Sequence, residues 1–338
     1  MRRLPLRIEE VAAWNQLLRA TRLAARGKRH RGEVARFLGR LDRELGEIRE
    51  RLLDGTYRFG LLRSFWIQDP KRRKIEAPPF RDRVVHHALV RHLEPWLERT
   101  WIEDSYACRR GKGCHAAVRR AAELGGKTPW TAQFDVRRFF ASVDHGILLN
   151  DLSRRIRGPR LIGLVERLLS AYAGVEGNGL PIGALTSQLF ANHYLAPLDR
   201  ILTESAGALG YVRYMDDLLV FCRNREQAVR VCEAADAYAA RRLHLELHPP
   251  RRQRTSSGWT FLGFRMRRRG RRVETTLTLR RRRRYSAARR RWEQAYRAEE
   301  VGALELQRGY DCALAITSHA RSRGFRLAEL ARRSAPEA

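Results

Sequence analysis

Tyr211-Val212-Arg213-Tyr214-Met215-Asp216-Asp217-Leu218-Leu219-Val220-Phe221-Cys222 is the stretch on which the fold turns. Aromatic, β-branched and aliphatic residues flank Met215-Asp216-Asp217, which reads as two short strands joined in a hairpin. Arg213 is the one residue that interrupts the apolar pattern. Two adjacent acids between such strands have two explanations. An exposed turn accepts Asp readily. A shielded one leaves two carboxylates in need of cations, because an isolated carboxylate loses heavily on leaving water. The hairpin alone leaves both open.

Asp135 shifts the balance. Residues 130–136 alternate, with Trp130, Ala132, Phe134 and Val136 on one side and Thr131, Gln133 and Asp135 on the other. That period predicts a strand carrying an acid on its polar face, running on into Arg137-Arg138-Phe139-Phe140. Two strands that end in acids and converge make an oxygen-rich site of the kind Mg²⁺ prefers. Two such ions about 4 Å apart stabilise the attacking and leaving oxygens of an in-line phosphoryl displacement.

Working outward, residues 11–53 place Val11, Trp14, Leu17 and Leu18, then Val34, Phe37, Leu38, Leu41, Leu45, Ile48 and Leu52, at helical spacing. Gly27 and the basic residues to Arg31 separate two helices, and Asp54-Gly55 closes the second. Residues 56–79 read as short strands around a polar bend that ends at Pro78-Pro79. Helices are expected over 82–100, 158–174, 185–204 and 225–243, a loop over 177–183, and strands near 258–266 and 271–279.

The charge balance names a class of partner. Lys and Arg number 68 against 37 Asp and Glu, net +31, an excess that a polyanion would neutralise. Residues 251–297 hold 18 Arg, no Lys and only Glu274 and Glu293, so this stretch supplies +16, about half the excess. Trp259, Phe261, Phe264, Tyr285, Trp292 and Tyr296 interleave with the arginines, which suits backbone tracking plus base stacking. No basic amphipathic helix stands apart, no run of 18 uncharged apolar residues occurs, and the start has no apolar signal region. A cytoplasmic protein without a membrane partner is expected. The five cysteines (Cys108, Cys114, Cys222, Cys232 and Cys312) form no Cys-x-x-Cys pair, and Cys114-His115 has no second ligand pair near it, so buried thiols are expected rather than zinc.

Six blocks in order now carry a resemblance. They are Asp69-Pro70-Lys71-Arg72-Arg73-Lys74-Ile75 with Phe80-Arg81-Asp82-Arg83-Val84-Val85; Asp104-Ser105-Tyr106-Ala107-Cys108-Arg109 with Gly111 and Gly113; Phe134–His145; Leu180–Gln188; Tyr214–Asp217; and Phe261-Leu262-Gly263-Phe264. Over roughly residues 40–280 the chain resembles the bacterial reverse transcriptases. The resemblance implies an α/β (α+β) right-hand polymerase fold, with helical fingers, an antiparallel palm sheet and a short basic helical thumb. Residues 1–55 would be an N-terminal helical extension, 56–270 fingers and palm, and 271–338 the thumb.

The resemblance also implies roles. Asp135, Asp216 and Asp217 would hold two Mg²⁺ ions, with Mn²⁺ as a substitute. Phe140, five residues after Asp135, would lie under the incoming sugar and exclude a 2′-hydroxyl. Lys71 and Arg73 would neutralise the triphosphate of a deoxynucleotide. Arg280, Arg281, Arg282, Arg283 and Arg284 are candidates to hold template RNA or the RNA/DNA hybrid, the other reading of such a run being a solvated face. Most bacterial relatives begin the Leu180–Gln188 block with Gln-Gly and end it with Ser-Pro; here Ile182-Gly183 and Ser187-Gln188 stand there instead. That exchange is similar to the reverse transcriptases of diversity-generating retroelements, and it implies Gly183 and Gln188 at the base pair, errors at template adenines and a small basic helical accessory protein. The usual Lys after a Leu-x-Leu-x-Leu strand is missing from Leu243–Arg251, and its proton-donor role stays unassigned between His248 and Arg251. No appended endonuclease, maturation or RNase H domain is expected after about residue 330. The rival readings are a retron, group II intron or phage-defence enzyme, and a non-catalytic RNA-binding protein.

Overall fold

The computed structural model describes residues 4–68, 72–172 and 177–332. From the N-terminus come helices α1 (Ile8–Val11), α2 (Trp14–Ala25), α3 (Gly32–Gly39) and α4 (Leu41–Leu53), then strands β1 (Arg63–Gln68) and β2 (Arg72–Ala77) and helix α5 (Phe80–Leu97). Helix α6 (Cys114–Lys127) leads into β3 (Trp130–Asp135), the single turn α7 (Phe139–Ser142), α8 (His145–Arg155), α9 (Pro159–Ser170) and α10 (Leu185–Arg200). Strands β4 (Gly210–Tyr214) and β5 (Asp217–Cys222) precede α11 (Arg225–Leu243). Strands β6 (Arg251–Arg254), β7 (Trp259–Phe261), β8 (Phe264–Arg269) and β9 (Arg272–Leu277) are followed by α12 (Leu279–Arg297), α13 (Ala303–Thr317) and α14 (Arg323–Arg332).

The chain condenses into two compact units, each built from three separated segments. One comprises Met1–Glu103, Asp135–Ile201 and Ala234–His248, the other Asp104–Phe134, Leu202–Glu233 and Pro249–Ala338.

In the first unit α5 is the hub, packed against α2 and α10. Val84, Val85, Ala88, Leu89, Leu93 and Leu97 are all buried along it, more than one helical face, because neighbours cover it on several sides. Leu17, Ala20 and Ala24 give α2 its buried stripe, and Phe37 meets Phe80 edge-on at 4.9 Å. The second N-terminal helix is two helices, broken between Gly39 and Leu41, where Arg40 leaves helical geometry (φ −124°). Strands β1 and β2 form an antiparallel ribbon in which Trp66 opposes Lys74 and Ile67 opposes Arg73.

The second unit holds a sheet ordered β4-β5-β3-β6 and a smaller one ordered β7-β8-β9. Helix α6 packs on β4 and β9 around a core that includes Leu124, Val212, Phe221, Trp259, Phe264 and Met266. Helix α6 is not among the helices expected from the sequence, and it ends in Gly125-Gly126-Lys127. Here the pair is required: a Cβ on Gly125 would fall 2.2 Å from the Trp259 ring, and one on Gly126 would fall 2.5 Å from the carbonyl oxygen of Arg271. The polar side expected of β3 is also different. Thr131 is fully buried, because β3 is an interior strand, and its hydroxyl lies 3.4 Å from the carbonyl of Gln253 on β6. Of the cysteines, Cys222 and Cys232 are buried as expected, but Cys108 and Cys312 are exposed and Cys114 is half-buried. Among the described residues no helix is long and apolar enough to cross a membrane.

Candidate active site

The hairpin of the opening stretch is present, with Val212 opposite Leu219, Arg213 opposite Leu218 and Tyr214 opposite Asp217. Met215 turns the chain from a left-handed backbone conformation (φ +55°), uncommon for a residue with a side chain. Asp216 and Asp217 are half-buried. Gln133 on β3 donates from Nε2 to Oδ1 of Asp217 at 3.0 Å, so the second acid is steadied by the neighbouring strand. The open edge of β4 is lined by the Asp104–Arg109 block. The Arg213 N–H donates to the Asp104 carbonyl at 2.9 Å, and the Tyr106 N–H donates to the Arg213 carbonyl at 2.9 Å.

Asp135 is the exposed last residue of β3. Its carbonyl accepts from the His248 N–H at 2.8 Å, and the Arg137 N–H donates to the Glu246 carbonyl at 2.8 Å. Residues 246–248 thus border the acid, but the strand expected there is reduced to a bridge between Val136 and Leu247. The paired strand, β6, starts only after Pro249-Pro250, two residues without an N–H to donate. Beyond Asp135, Arg138 takes a left-handed conformation (φ +43°) and starts α7. There Phe139 is 2 % exposed and belongs to the core, while Phe140 is half-buried and 5.7 Å from it.

The loop before α10 is tied to this turn within the first unit. The Leu180 N–H donates to the Phe140 carbonyl at 2.6 Å, and the Gly179 N–H to the Val143 carbonyl at 2.9 Å. On its other side the Glu76 N–H of β2 donates to the Ile182 carbonyl at 2.8 Å. Gly183 has φ +131°, and a Cβ there would fall 2.9 Å from Ile75 and 3.0 Å from the Glu76 carbonyl. Its bare backbone therefore serves the protein's own ribbon first. Between loop, turn and ribbon lies a cavity of about 650 Å³ lined by Glu76, Arg138, Ala141, Asn178, Leu180 and Pro181, among others. Arg73 is exposed on β2 and Gln188 on the second turn of α10, while Lys71 lies outside the described residues.

Behind this loop runs a buried chain that residue patterns did not disclose. Tyr172 OH and Thr186 Oγ1 are 2.7 Å apart, and Thr186 Oγ1 and His86 Nδ1 are 2.8 Å apart. Burial pushes the His86 imidazole down to about 3, so at neutral pH it is an uncharged link between α5 and the first turn of α10.

The arginines of α12 divide. Arg280, Arg282, Arg283 and Arg284 are exposed. Arg281 is half-buried: Nε donates to the Ile316 carbonyl at 2.8 Å, Nη1 to the Leu262 carbonyl at 3.0 Å, and the guanidinium lies 4.0 Å from the Phe264 ring centroid.

Among the described residues no three His, Cys, Asp or Glu side chains gather tightly enough to hold a metal by themselves. Asp216 and Asp217 at the hairpin turn offer carboxylate oxygens, the donor type that suits Mg²⁺, which takes one or two carboxylates and fills the remaining positions with water and substrate phosphate.

The model of the reverse transcriptase (RNA-dependent DNA polymerase) family matches residues 68–266, more than half of the chain, and the chain belongs to that family. Its activity is that of an RNA-directed DNA polymerase. Protein YkfC of Escherichia coli (strain K12) is 25 % identical over 276 residues, covering 67 % of this chain and 72 % of that protein. The group II intron-encoded protein LtrA of Lactococcus lactis subsp. cremoris is 27 % identical over 174 residues, 48 % of this chain but 29 % of LtrA. Nuclear intron maturase 1, mitochondrial, of Arabidopsis thaliana is 32 % identical over 100 residues, 14 % of its own length.

Proposed function

We propose that this chain copies a template RNA into DNA as the error-prone enzyme of a diversity-generating retroelement, with Asp135, Asp216 and Asp217 as its metal carboxylates. When bound, two Mg²⁺ ions (or Mn²⁺ in their place) stabilise charge on the attacking and leaving oxygens. The protein's own part is positional. Phe140 presents a half-buried ring, a wall against a 2′-hydroxyl. Arg73, with Lys71, neutralises the triphosphate of a deoxynucleotide. The exposed arginines of α12 hold the RNA/DNA hybrid, and a small basic accessory protein completes the working particle.

The observation that carries the retroelement reading is Ile182-Gly183 in the loop between the Phe140 turn and the ribbon, followed by Ser187-Gln188 at the start of α10. An apolar residue at 182 has no side-chain hydrogen bond to offer a base, and each 1.4 kcal/mol of lost discrimination costs about tenfold in fidelity. Sequencing cDNA made from the cognate RNA with the accessory protein tests the idea: misincorporation opposite template adenine should far exceed that opposite the other bases. A second reading, an enzyme of group II intron type, is favoured by the likeness to LtrA and the intron maturases. It predicts uniform errors at all four template bases.

A further inference from the structure

Arg213 is a large, charged side chain with 0 % exposure, on the strand that leads into the acid pair. A guanidinium stays charged in proteins, and enclosing it is costly unless its donors are answered. Packing alone does not call for it. A Val or Ile would fill a buried strand position with better strand propensity and no buried charge. We propose that Arg213 is a positioning residue of the polymerase reaction, holding the Met215 carbonyl and through it the backbone that carries Asp216 and Asp217.

Three observations converge on this role. Nη1 of Arg213 donates to the Met215 carbonyl at 3.2 Å. Met215 is the left-handed residue of the turn, a conformation that persists when its surroundings hold it. The Arg213 backbone is itself anchored on the outer edge, by Asp104 and Tyr106, and lies opposite Leu218 in the hairpin. A fixed strand thus supplies a fixed guanidinium, which fixes the peptide joining Met215 to Asp216. The positive charge is bonded one residue from two adjacent carboxylates and offsets their repulsion.

This role rests on the reading of Asp216 and Asp217 as the metal carboxylates, so the experiment must separate the two. Single-nucleotide extension of a DNA primer on a homopolymeric RNA template would compare the full-length wild type with Arg213→Met, Arg213→Lys and Asp217→Asn. Arg213→Met should lower kcat about a hundredfold, the scale expected for misplacement by about 1 Å. Nucleotide KM and RNA affinity should stay within about twofold of wild type, as expected for an interaction that acts only at the transition state. Arg213→Lys keeps the charge without the planar fork, and should recover part of the loss. If Arg213→Met melts, folded Arg213→Lys decides: a reduced kcat with unchanged KM supports the role, and a wild-type kcat overturns it. Wild-type kcat in a folded Arg213→Met beside a dead Asp217→Asn makes Arg213 ordinary packing and leaves the site intact. An active Asp217→Asn removes the site reading itself.

Discussion

The β4–β5 hairpin and helix α12 are both dense in charge, yet they use it in opposite ways. In the hairpin each charged residue has a single place: Arg213 is sealed inside and bonded to the turn, and Asp217 is steadied by Gln133. Along α12 the same residue type recurs, and position decides its task. Arg281 is drawn into packing by Leu262, Phe264 and Ile316, while Arg280, Arg282, Arg283 and Arg284 face outward. Uniqueness makes a region intolerant of change, and repetition spreads the load.

The largest effect expected from this contrast is at the acids. Asp216→Asn with Asp217→Asn should reduce primer extension at least about a thousandfold, the scale seen when charge stabilisation is removed from a reacting centre. RNA affinity measured by filter binding should be largely kept. Extension near the wild-type rate would make the hairpin as tolerant as the outer face of α12. Next comes Phe140, also unique by position. Phe140→Ala should relax discrimination against ribonucleotides by about tenfold or more, a typical size for a steric pocket change. Unchanged ribonucleotide incorporation would assign the ring to the core alongside Phe139.

The repeated charges should yield smaller, graded losses. Replacing Arg280, Arg282, Arg283 and Arg284 together by Gln should flatten the salt dependence of RNA binding, by about 0.7–0.9 in log–log slope for every phosphate no longer neutralised. Thermal stability should barely move, and an unaltered slope would mean a solvated face. The smallest effect is Arg281→Gln alone. Leaving two carbonyls without their donor should cost about 1–2 kcal/mol of stability, with the salt slope unchanged. A slope that fell without loss of stability would return Arg281 to the RNA-binding set.

The same contrast explains what could be read in advance. The hairpin and the strand that ends at Asp135 were legible because apolar runs and period-two alternation are local signals. Arg213 signalled itself only as an interruption, since nothing local says that a buried partner awaits it. The His86–Thr186–Tyr172 chain joins residues a hundred positions apart, which spacing along the chain cannot disclose. Helix α6 was not foreseen, and the close packing of Gly125-Gly126 against Trp259 and Arg271 joins residues more than a hundred positions apart. Arg281 could not be told from its neighbours, because identical side chains carry no label until the fold gives them surroundings.

Each compact unit is stitched from three stretches of chain that alternate along the sequence. During synthesis, therefore, neither can close early. The first lacks its last piece until Ala234–His248 has left the ribosome, and the second waits for everything after Pro249. Emerging strands β4 and β5, apolar on both sides of the acids, must survive unshielded until then, an interval in which exposed strand edges invite aggregation. Dividing the gene at residue 55 would leave the first unit incomplete and dividing it at 270 the second, so either shortened version should fail as insoluble nascent product before catalysis can be assayed.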